Sequence, residues 1–214
     1  MIYLDNGATS YPKPDVVGDA VYDYIKNVGS NINRGGYAKA YSAAGVVLET
    51  REMISEMMNG YGSRYTIFTP GNTYSLNFLI KGLARKGDKI LISGMEHNAV
   101  YRPAYQLEQE GLIEVDYMPC NERGELKLEE ALAMIDESVR AVVMVHASNV
   151  SGTLMPIREV GQRCHEKNVL FFVDAAQTAG NVPVDMKACH IDGLSLPGHK
   201  SMLGPQGVGA LLLN

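Results

Sequence analysis

Short runs of consecutive apolar residues recur along the chain from residue 65 onward. Runs of roughly four to eight apolar residues between polar stretches are typical of strands buried on both faces. Seven strands are therefore predicted: YTIFT from Tyr65, KILIS from Lys89, IEVDYM from Ile113, AVVMVH from Ala141, VLFFVD from Val169, LSL from Leu194 and VGALLL from Val208.

Apolar residues at helical spacing lie before and between these runs. Two helices are predicted ahead of the first strand, over residues 14–27 and 37–59. Pro14 suits the opening turn of the first, and Gly60 ends the second. Four more helices are predicted between the first five strands, over residues 75–85, 99–110, 127–136 and 157–167.

This alternation predicts an α/β fold with three layers and a mostly parallel seven-stranded sheet. Right-handed helical crossovers join parallel strands and cover both faces of the sheet. The last two strands are too close in sequence for such a crossover, so the final strand is predicted to be antiparallel. No linker divides the chain, and residues 1–214 are interpreted as one large domain. Ligands of such sheets bind at the carboxyl ends of the strands.

The composition disfavours a nucleic-acid-binding protein, a membrane protein and a secreted protein. Of the 214 residues, 46% are apolar, which is enough for a sizeable core, and the net charge of −5 disfavours a basic nucleic-acid groove. The sequence contains no run of about 18 apolar residues, so no membrane span is predicted. The opening MIYLDNGATS lacks the basic and apolar regions of a signal peptide. We expect a cytoplasmic protein that binds neither nucleic acid nor membrane.

The cysteines and histidines do not have the spacing of a metal site or a disulfide framework. Cys120, Cys164 and Cys189 are odd in number, widely spaced and without a CxxC pair. The five histidines form no HxxxH pair. Three reduced thiols and no bound metal are expected.

Polar residues follow the predicted strands and supply the candidate chemistry. Gly71, Asn72 and Thr73 form a turn that leads into a helix, where free N–H groups suit an anion; the alternative is an ordinary N-cap by Thr73. His97 follows the second strand and could stack on an aromatic ring, exchange protons or simply cap its helix.

Three further polar residues follow the fourth and fifth strands. Asn149 is either a polar contact or a turn residue. Asp174 ends a buried strand, where a carboxylate requires a cationic partner; alternatively it begins a helix, with Gln177 completing a capping box. All of these residues are predicted to converge on one edge of the sheet.

Lys200 stands in SLPGHKSMLGPQG and admits two interpretations. The stretch GLSLPGHKS nearly matches the nucleotide-binding pattern GxxxxGK[ST], but His199 interrupts it. The Gly204-Pro205 pair would also break the helix that this pattern requires. A lysine that forms a Schiff base with pyridoxal 5'-phosphate fits better. Such a site also requires an acid for the ring nitrogen, a phosphate cradle and a stacking group.

Several motifs, in order, resemble those of the class V aminotransferases, a group of fold-type I pyridoxal-phosphate enzymes that includes cysteine desulfurases and selenocysteine lyases. LDNGATSYPKP is similar to the family's opening LDNAATS, and NINRGG to its arginine-glycine segment. MEHNAV resembles EHxA, ASNVSGT resembles SNxTG, VDAAQTAG resembles VDxAQ, and GHK matches the lysine motif.

The resemblance implies a role for each matching position. Lys200 would bind the cofactor and move the substrate's proton, and Asp174 would pair with the ring nitrogen. His97 would stack on the ring and, as a second catalytic residue, take part in proton transfer. Gln177 would hydrogen-bond the phenolic oxygen of the ring, and the substrate would be bound by Asn149 and Arg34. The phosphate would be held by Gly71, Asn72, Thr73 and His199. The reaction implied is sulfur removal from L-cysteine, giving L-alanine and an enzyme persulfide.

The chain departs from the family pattern at two residues and in its length. Pro197 replaces a phosphate-binding Ser or Thr, and Gly7 replaces an alanine. The family also has a C-terminal small domain with a substrate-binding arginine and a persulfide cysteine, so this chain is interpreted as a truncated large domain. Its N-terminal segment, residues 1–36, would contribute to the active site. A homodimer and a sulfur-acceptor protein are the expected partners.

Three functional hypotheses remain open from the sequence. The first is a desulfurase-type enzyme, with aminotransferase or selenocysteine lyase activity as variants on the same fold. The second is a fragment that binds the cofactor but turns nothing over. The third is the nucleotide-binding protein that the interrupted phosphate-loop pattern disfavours.

Overall fold

The computed structural model describes residues 2–32 and 34–214. Within these ranges the helices are α1 (Asp15–Asp23), α2 (Ala38–Met57), α3 (Asn72–Leu83), α4 (Asn98–Gln109), α5 (Leu128–Ala133) and α6 (Ile157–Lys167). The strands are β1 (Thr66–Thr69), β2 (Asp88–Ser93), β3 (Ile113–Met118), β4 (Val139–Val145), β5 (Leu170–Asp174), β6 (Gly193–Pro197) and β7 (Gly209–Leu213).

All seven strands form one sheet in the order β1-β7-β6-β5-β4-β2-β3. The pairs from β6 through β3 are parallel, whereas β7 runs antiparallel to both β6 and β1. The predicted mostly parallel sheet with an antiparallel final strand is therefore confirmed. Because β7 reverses direction between them, β1 and β6 point the same way, and their carboxyl ends lie on the same edge.

The two sides of the sheet are covered by different helices. Alternate residues of β4 point to opposite sides: Val142 and Met144 join one buried cluster, with residues of α5 and α6, and Val143 joins the other, with residues of α3 and α4. This two-sided burial is the reason the strands appear in the sequence as continuous apolar runs. It also confirms the three-layer architecture.

The helix boundaries differ from the sequence prediction most clearly at the start of α3, which borders the site, and at the end of α1. Helix α3 begins at Asn72 instead of residue 75, because the polar NTY stretch forms its first turn. The helix predicted over residues 14–27 instead ends as α1 at Asp23 and continues as a π-helical turn over Tyr24–Val28. Of the helices in the described ranges, none combines the length and apolar character needed to cross a bilayer.

The direction of strand succession reverses between β2 and β4. From β2 the chain proceeds outward to β3, whereas from β4 it proceeds the opposite way to β5 and β6. The loops that leave β2 and β4 consequently diverge at this point. Such divergence opens a crevice at the carboxyl edge, which is where ligands bind in sheets of this kind.

Candidate active site

A cavity of about 410 Å³ lies at the carboxyl edge of the sheet. Its volume suits a cofactor-sized ligand. Nine of the ten residues predicted for the site line this cavity: Gly71, Asn72, Thr73, His97, Asn149, Asp174, Gln177, His199 and Lys200. Pro197 also lines it. Arg34 is exposed and does not belong to the lining, and its neighbour Asn33 in the NINRGG segment lies outside the described residues.

Asp174 ends β5 in the floor of the cavity and is only 1% exposed. Its Oδ1 accepts hydrogen bonds from Asn72 Nδ2 at 2.8 Å and from the Ala176 backbone N–H at 2.9 Å. Its Oδ2 is buried and has no partner among the described residues. Burial raises the pKa of the Asp174 carboxyl, and the two hydrogen bonds oppose that shift.

The capping-box alternative for Asp174 and Gln177 is wrong. The residues after β5 form turns instead of a helix, and the amide that Asp174 binds belongs to such a turn. The Gln177 side chain instead donates from Nε2 to the Gly7 carbonyl at 3.0 Å. The Asp174 carboxyl group, which caps no helix, retains one oxygen without a partner among the described residues.

Gly71 is the N-cap of α3, so the interpretation of Thr73 as the cap is also wrong. Gly71 has a φ of 155°, which a glycine adopts most readily. A Cβ on the neighbouring Gly209 would lie 3.0 Å from the Gly71 Cα and 2.7 Å from the Leu196 carbonyl oxygen, so the turn packs closely against β7. The Gly71 carbonyl accepts the Tyr74 N–H at 3.1 Å and the Ser75 N–H at 3.2 Å, which leaves the N–H groups of Asn72 and Thr73 without intrahelical acceptors and able to bind an anion.

His97 is both a cavity residue and the N-cap of α4. Its Nδ1 accepts a hydrogen bond from the Ala99 N–H at 3.0 Å, so the capping interpretation is correct. Because Nδ1 is the acceptor, the neutral ring carries its proton on Nε2. Capping leaves the flat face of the ring available, and the two interpretations of His97 are therefore compatible.

Lys200 lies just beyond β6, partly buried in the cavity wall. Burial lowers the pKa of its ammonium group, and the attraction of Asp174 opposes that shift. A lysine with a lowered pKa has more of the neutral amine that attacks a carbonyl. Next to it, the Nδ1 of His199 is buried without a partner among the described residues. Burial lowers the pKa of His199, as do the neighbouring charges of Lys200 and Lys13.

The carbonyl oxygen of His199 accepts four hydrogen bonds from the N-terminal segment. The donors are the Thr9 hydroxyl at 3.0 Å, the Ser10 N–H at 3.1 Å, the Ser10 hydroxyl at 3.2 Å and the Lys13 ammonium at 3.0 Å. These bonds fix the peptide group that joins His199 to Lys200. The individual contribution of Lys13 was not predicted, although it lies within the motif LDNGATSYPKP.

Glu96 is a second residue that was not predicted from the sequence. Its carboxyl group is enclosed beneath the loop that carries His97, and Oε2 is buried without a partner in the described part of the chain. Burial raises the pKa of Glu96 to about 8, although hydrogen bonds from Ser93 and Val145 oppose the shift. The sequence offered one signal, because Glu96 lies within MEHNAV, the segment that resembles the family's EHxA motif.

Because of this raised pKa, we expect the cofactor-free protein to lose stability as pH rises. The folded state retains a proton on Glu96 that the unfolded state releases near 4.5, the ordinary pKa of a glutamate side chain. Between that value and about 8, the free energy of unfolding should fall by up to about 1.4 kcal/mol per pH unit. Urea unfolding at a series of pH values measures this slope.

The Glu96→Gln variant should remove this part of the pH dependence, since an amide does not titrate. Glu108 provides a matched control, because its carboxylate also accepts a strand N–H, from Val115 at 3.3 Å. Glu108→Gln should retain the wild-type slope. Equal slopes for wild type and Glu96→Gln would contradict the raised pKa.

The family model for class-V aminotransferases matches residues 2–214. The chain is 35% identical over 216 aligned residues to the cysteine desulfurase IscS of Clostridium botulinum, covering 99% of this chain and 53% of that protein. A probable cysteine desulfurase of Methanothermobacter thermautotrophicus is 34% identical, with 98% and 52% covered.

Solved structures agree with the sequence relatives. The apo structure of a cysteine desulfurase from Thermococcus onnurineus superimposes with a TM-score of 0.94 at 30% identity, covering 100% of this chain and 53% of that one. A structure of SspA in complex with cysteine has a TM-score of 0.92 at 28% identity, covering 100% and 61%. The chain thus spans about half the length of the curated relatives it matches. Its full-length match to the family model and its fold show that the chain belongs to the class-V aminotransferase family.

Proposed function

We propose that this chain binds pyridoxal 5'-phosphate and forms the cofactor domain of a cysteine desulfurase. One observation carries the proposal: three residues that line the cavity with Lys200 each have a buried polar atom without a partner among the described residues. These atoms are Asn72 Oδ1, Asp174 Oδ2 and His199 Nδ1. A buried polar atom without a partner is costly in a finished site, so these atoms indicate a polar ligand.

The polar groups of the cavity match those of the proposed cofactor. Asp174 Oδ2 suits the protonated ring nitrogen, because a buried carboxylate requires a cationic partner. The N-terminal turn of α3 and His199 suit the phosphate. Lys200 suits the aldehyde carbon, and Gln177 the phenolic oxygen of the ring. Class-V aminotransferases in general depend on this cofactor, which supports the same proposal.

Each residue would have a definite task in the reaction. Pyridoxal phosphate, when bound, withdraws electrons from the α-carbon of an amino acid. Lys200, released by the substrate amine, would take up and return the proton of that carbon. Asp174 would keep the ring nitrogen protonated, and His97 would stack on the ring and exclude water. Asn149 would orient the substrate.

L-cysteine is the proposed substrate, supported by the named activities of the relatives and by the cysteine complex of SspA. In this reaction a thiolate would attack the sulfur of the bound substrate and form the S–S bond of a persulfide while the Cβ–S bond of the substrate breaks. The electron pair of the broken bond would stay with the carbon, which takes up a proton and becomes the methyl group of L-alanine. Cys164 and Cys189 are buried and Cys120 is partly exposed. Burial raises the pKa of each thiol, that of Cys164 to about 12, and none of the three lines the cavity. The proposal therefore assigns the sulfur-accepting thiol to a residue outside these 214.

The direct test is to supply L-cysteine and pyridoxal phosphate with a thiol reductant and to measure L-alanine and sulfide. Equal amounts of the two products from the intact protein are expected. The 214 residues alone should bind the cofactor and yield little sulfide. Amino transfer to a keto acid without sulfide would instead indicate an aminotransferase, and cofactor binding without any turnover would indicate an inactive binding domain.

Pro197→Ser should strengthen cofactor binding. Pro197 lines the cavity beside His199 and offers no hydroxyl to a phosphate. One added hydrogen bond to a charged group contributes about 1 to 2 kcal/mol, which corresponds to roughly a 5- to 30-fold lower Kd for pyridoxal phosphate. Pro197→Ala is the control, because it makes the same backbone change without the hydroxyl. An unchanged Kd for Pro197→Ser would separate this position from the phosphate site.

The remaining parts of the proposal concern assembly and location. Tyr74 and Phe78 on α3 are each 55% exposed beside the cavity. Large apolar groups exposed together favour a protein interface, which supports the expected homodimer. A cytoplasmic location and a separate sulfur-acceptor protein complete the proposal. Sedimentation measurements of the purified protein test the dimer.

A further inference from the structure

The Glu96 side chain supplies a hydrogen-bond acceptor to β4 at the point where β2 and β4 separate and β2 no longer supplies one. The last paired residues of the two strands are Ile92 and Val143. Two residues further along β4, the N–H of Val145 faces away from β5. The N–H of the next residue, His146, is bonded to the Asp174 carbonyl, and successive N–H groups of a strand point to opposite neighbours. No residue of β2 lies opposite Val145, since that strand has already turned into its loop.

The Glu96 side chain reaches back to this amide. Its Oε1 accepts the Val145 N–H at 2.7 Å and the Ser93 hydroxyl at 2.5 Å. Ser93 and Val145 are 1% and 2% exposed, so both bonds lie in the interior. The carboxyl group therefore ties the end of β2 and its loop to the end of β4.

This connection bears directly on the cavity. Val145 is itself a lining residue and stands opposite Asp174 in the β4–β5 register. On the other side, Glu96 immediately precedes His97, whose ring caps α4 and lines the cavity. One side chain thus sets the distance between the His97 loop and the strand pair that carries Asp174.

We propose that Glu96 is a positioning residue that holds the ring of His97 in place over the floor of the cavity, acting through its hydrogen bonds to Val145 and Ser93. The inference deepens the proposed function, on which its cofactor readout rests. The required property is an acceptor oxygen at the right reach, and negative charge is not needed. The raised pKa of Glu96 agrees, because a carboxyl that remains protonated near neutral pH still presents Oε1 as an acceptor.

The test compares three substitutions. Glu96→Gln keeps the reach and the acceptor, Glu96→Asp keeps the acid but shortens the side chain by one methylene, and Glu96→Ala removes both. We expect Glu96→Gln to resemble wild type. The Asp and Ala variants should bind pyridoxal phosphate about three- to tenfold more weakly, with a reduced visible circular dichroism of the bound cofactor, because the aromatic contact with His97 is lost.

A second readout does not need the cofactor. Amide hydrogen exchange in the cofactor-free protein should be at least about tenfold faster at Val145 and Ala99 in the Asp and Ala variants. Glu108→Ala is the matched control, since that carboxylate accepts a strand N–H away from the cavity. It should leave exchange at both amides and the Kd for the cofactor unchanged.

Each outcome decides for or against the inference. Wild-type exchange and wild-type cofactor affinity in Glu96→Asp would overturn it, and that variant keeps an acid even if Glu96→Ala does not fold. A Glu96→Gln protein as impaired as Glu96→Asp would show that an acceptor oxygen at the right reach is not sufficient, which also overturns it. If wild type binds no pyridoxal phosphate, the proposed function fails, while the exchange measurements still decide the role of Glu96.

Discussion

Lys200→Ala is expected to abolish the covalent attachment of pyridoxal phosphate. Mixing the wild-type protein with the cofactor should produce a visible absorbance band, and borohydride should fix the cofactor to Lys200. The variant should show neither the band nor the fixed mass, because the cavity lining contains no other lysine among the described residues. Absorbance spectroscopy and peptide mass spectrometry measure both. Without the covalent bond, the remaining contacts should hold the cofactor only weakly.

Lys81→Ala is the matched control for this experiment. Lys81 is exposed and donates to Gln106 Oε1 on the neighbouring helix, away from the cavity. Its removal should change neither the spectrum nor the labelled peptide. A visible band that persists in Lys200→Ala, or a label on another lysine in wild type, would contradict the assignment. Reaction of wild type should also become faster as pH rises, with an apparent pKa below the 10.5 of an unperturbed lysine.

Most of the fold follows from patterns that lie within short segments of the sequence. Buried parallel strands must be apolar on both faces, so runs such as LFFVD are visible without any knowledge of their neighbours. The antiparallel β7 was predictable because the connection from β6 is too short for a crossover. The order of the strands was not predicted, since it depends on which distant segments pair.

The site residues were predictable where they follow a strand directly. Asp174 and Lys200 stand in the loops at the carboxyl edge, where the fold itself concentrates ligand-binding groups. Glu96 and Lys13 were missed because their importance comes from long-range contacts. The Lys13 ammonium meets the His199 carbonyl across 186 positions, and Glu96 meets Val145 across 49. Nothing within either segment reveals such a partner.

The helix-capping rules gave wrong interpretations for two residues, Thr73 and Asp174. Thr73 and Asp174 both have side chains that commonly begin helices, yet neither is an N-cap. At Thr73 the helix begins earlier, because Gly71 takes the cap position. At Asp174 no helix follows, since the carboxylate is bound by Asn72 and by a turn amide. In both cases a contact or conformation outside the capping rule decided the structure.

Asp174→Asn is expected to separate stability from function. Asn retains an Oδ1 that can accept from Asn72 and Ala176, so the local geometry should survive. At the position of Oδ2, however, an acceptor becomes a donor, which can no longer bind a protonated ring nitrogen. The electron-withdrawing power of the cofactor should fall, and turnover of L-cysteine by the intact protein should drop by about 10²-fold or more.

The same substitution should not weaken the cofactor-free fold. Burial raises the pKa of Asp174, so its ionised form disfavours the folded state, and this cost grows as pH rises toward the folded-state pKa. An uncharged Asn avoids that cost, and its free energy of unfolding at neutral pH should equal or exceed that of wild type. Asp185 is a close control, because its Oδ1 also accepts from a backbone amide and an Asn side chain, each at 2.9 Å.

Asp185 shows the opposite pKa shift, because its side chain is only partly buried and its hydrogen bonds lower its pKa. Asp185→Asn should therefore lose a little stability and leave turnover unchanged. Chemical unfolding and steady-state kinetics on both variants give four values with opposite expected patterns. An Asp174→Asn protein that turns over at the wild-type rate would show that Oδ2 does not face the ring nitrogen. In that case the buried carboxylate would need another cationic partner.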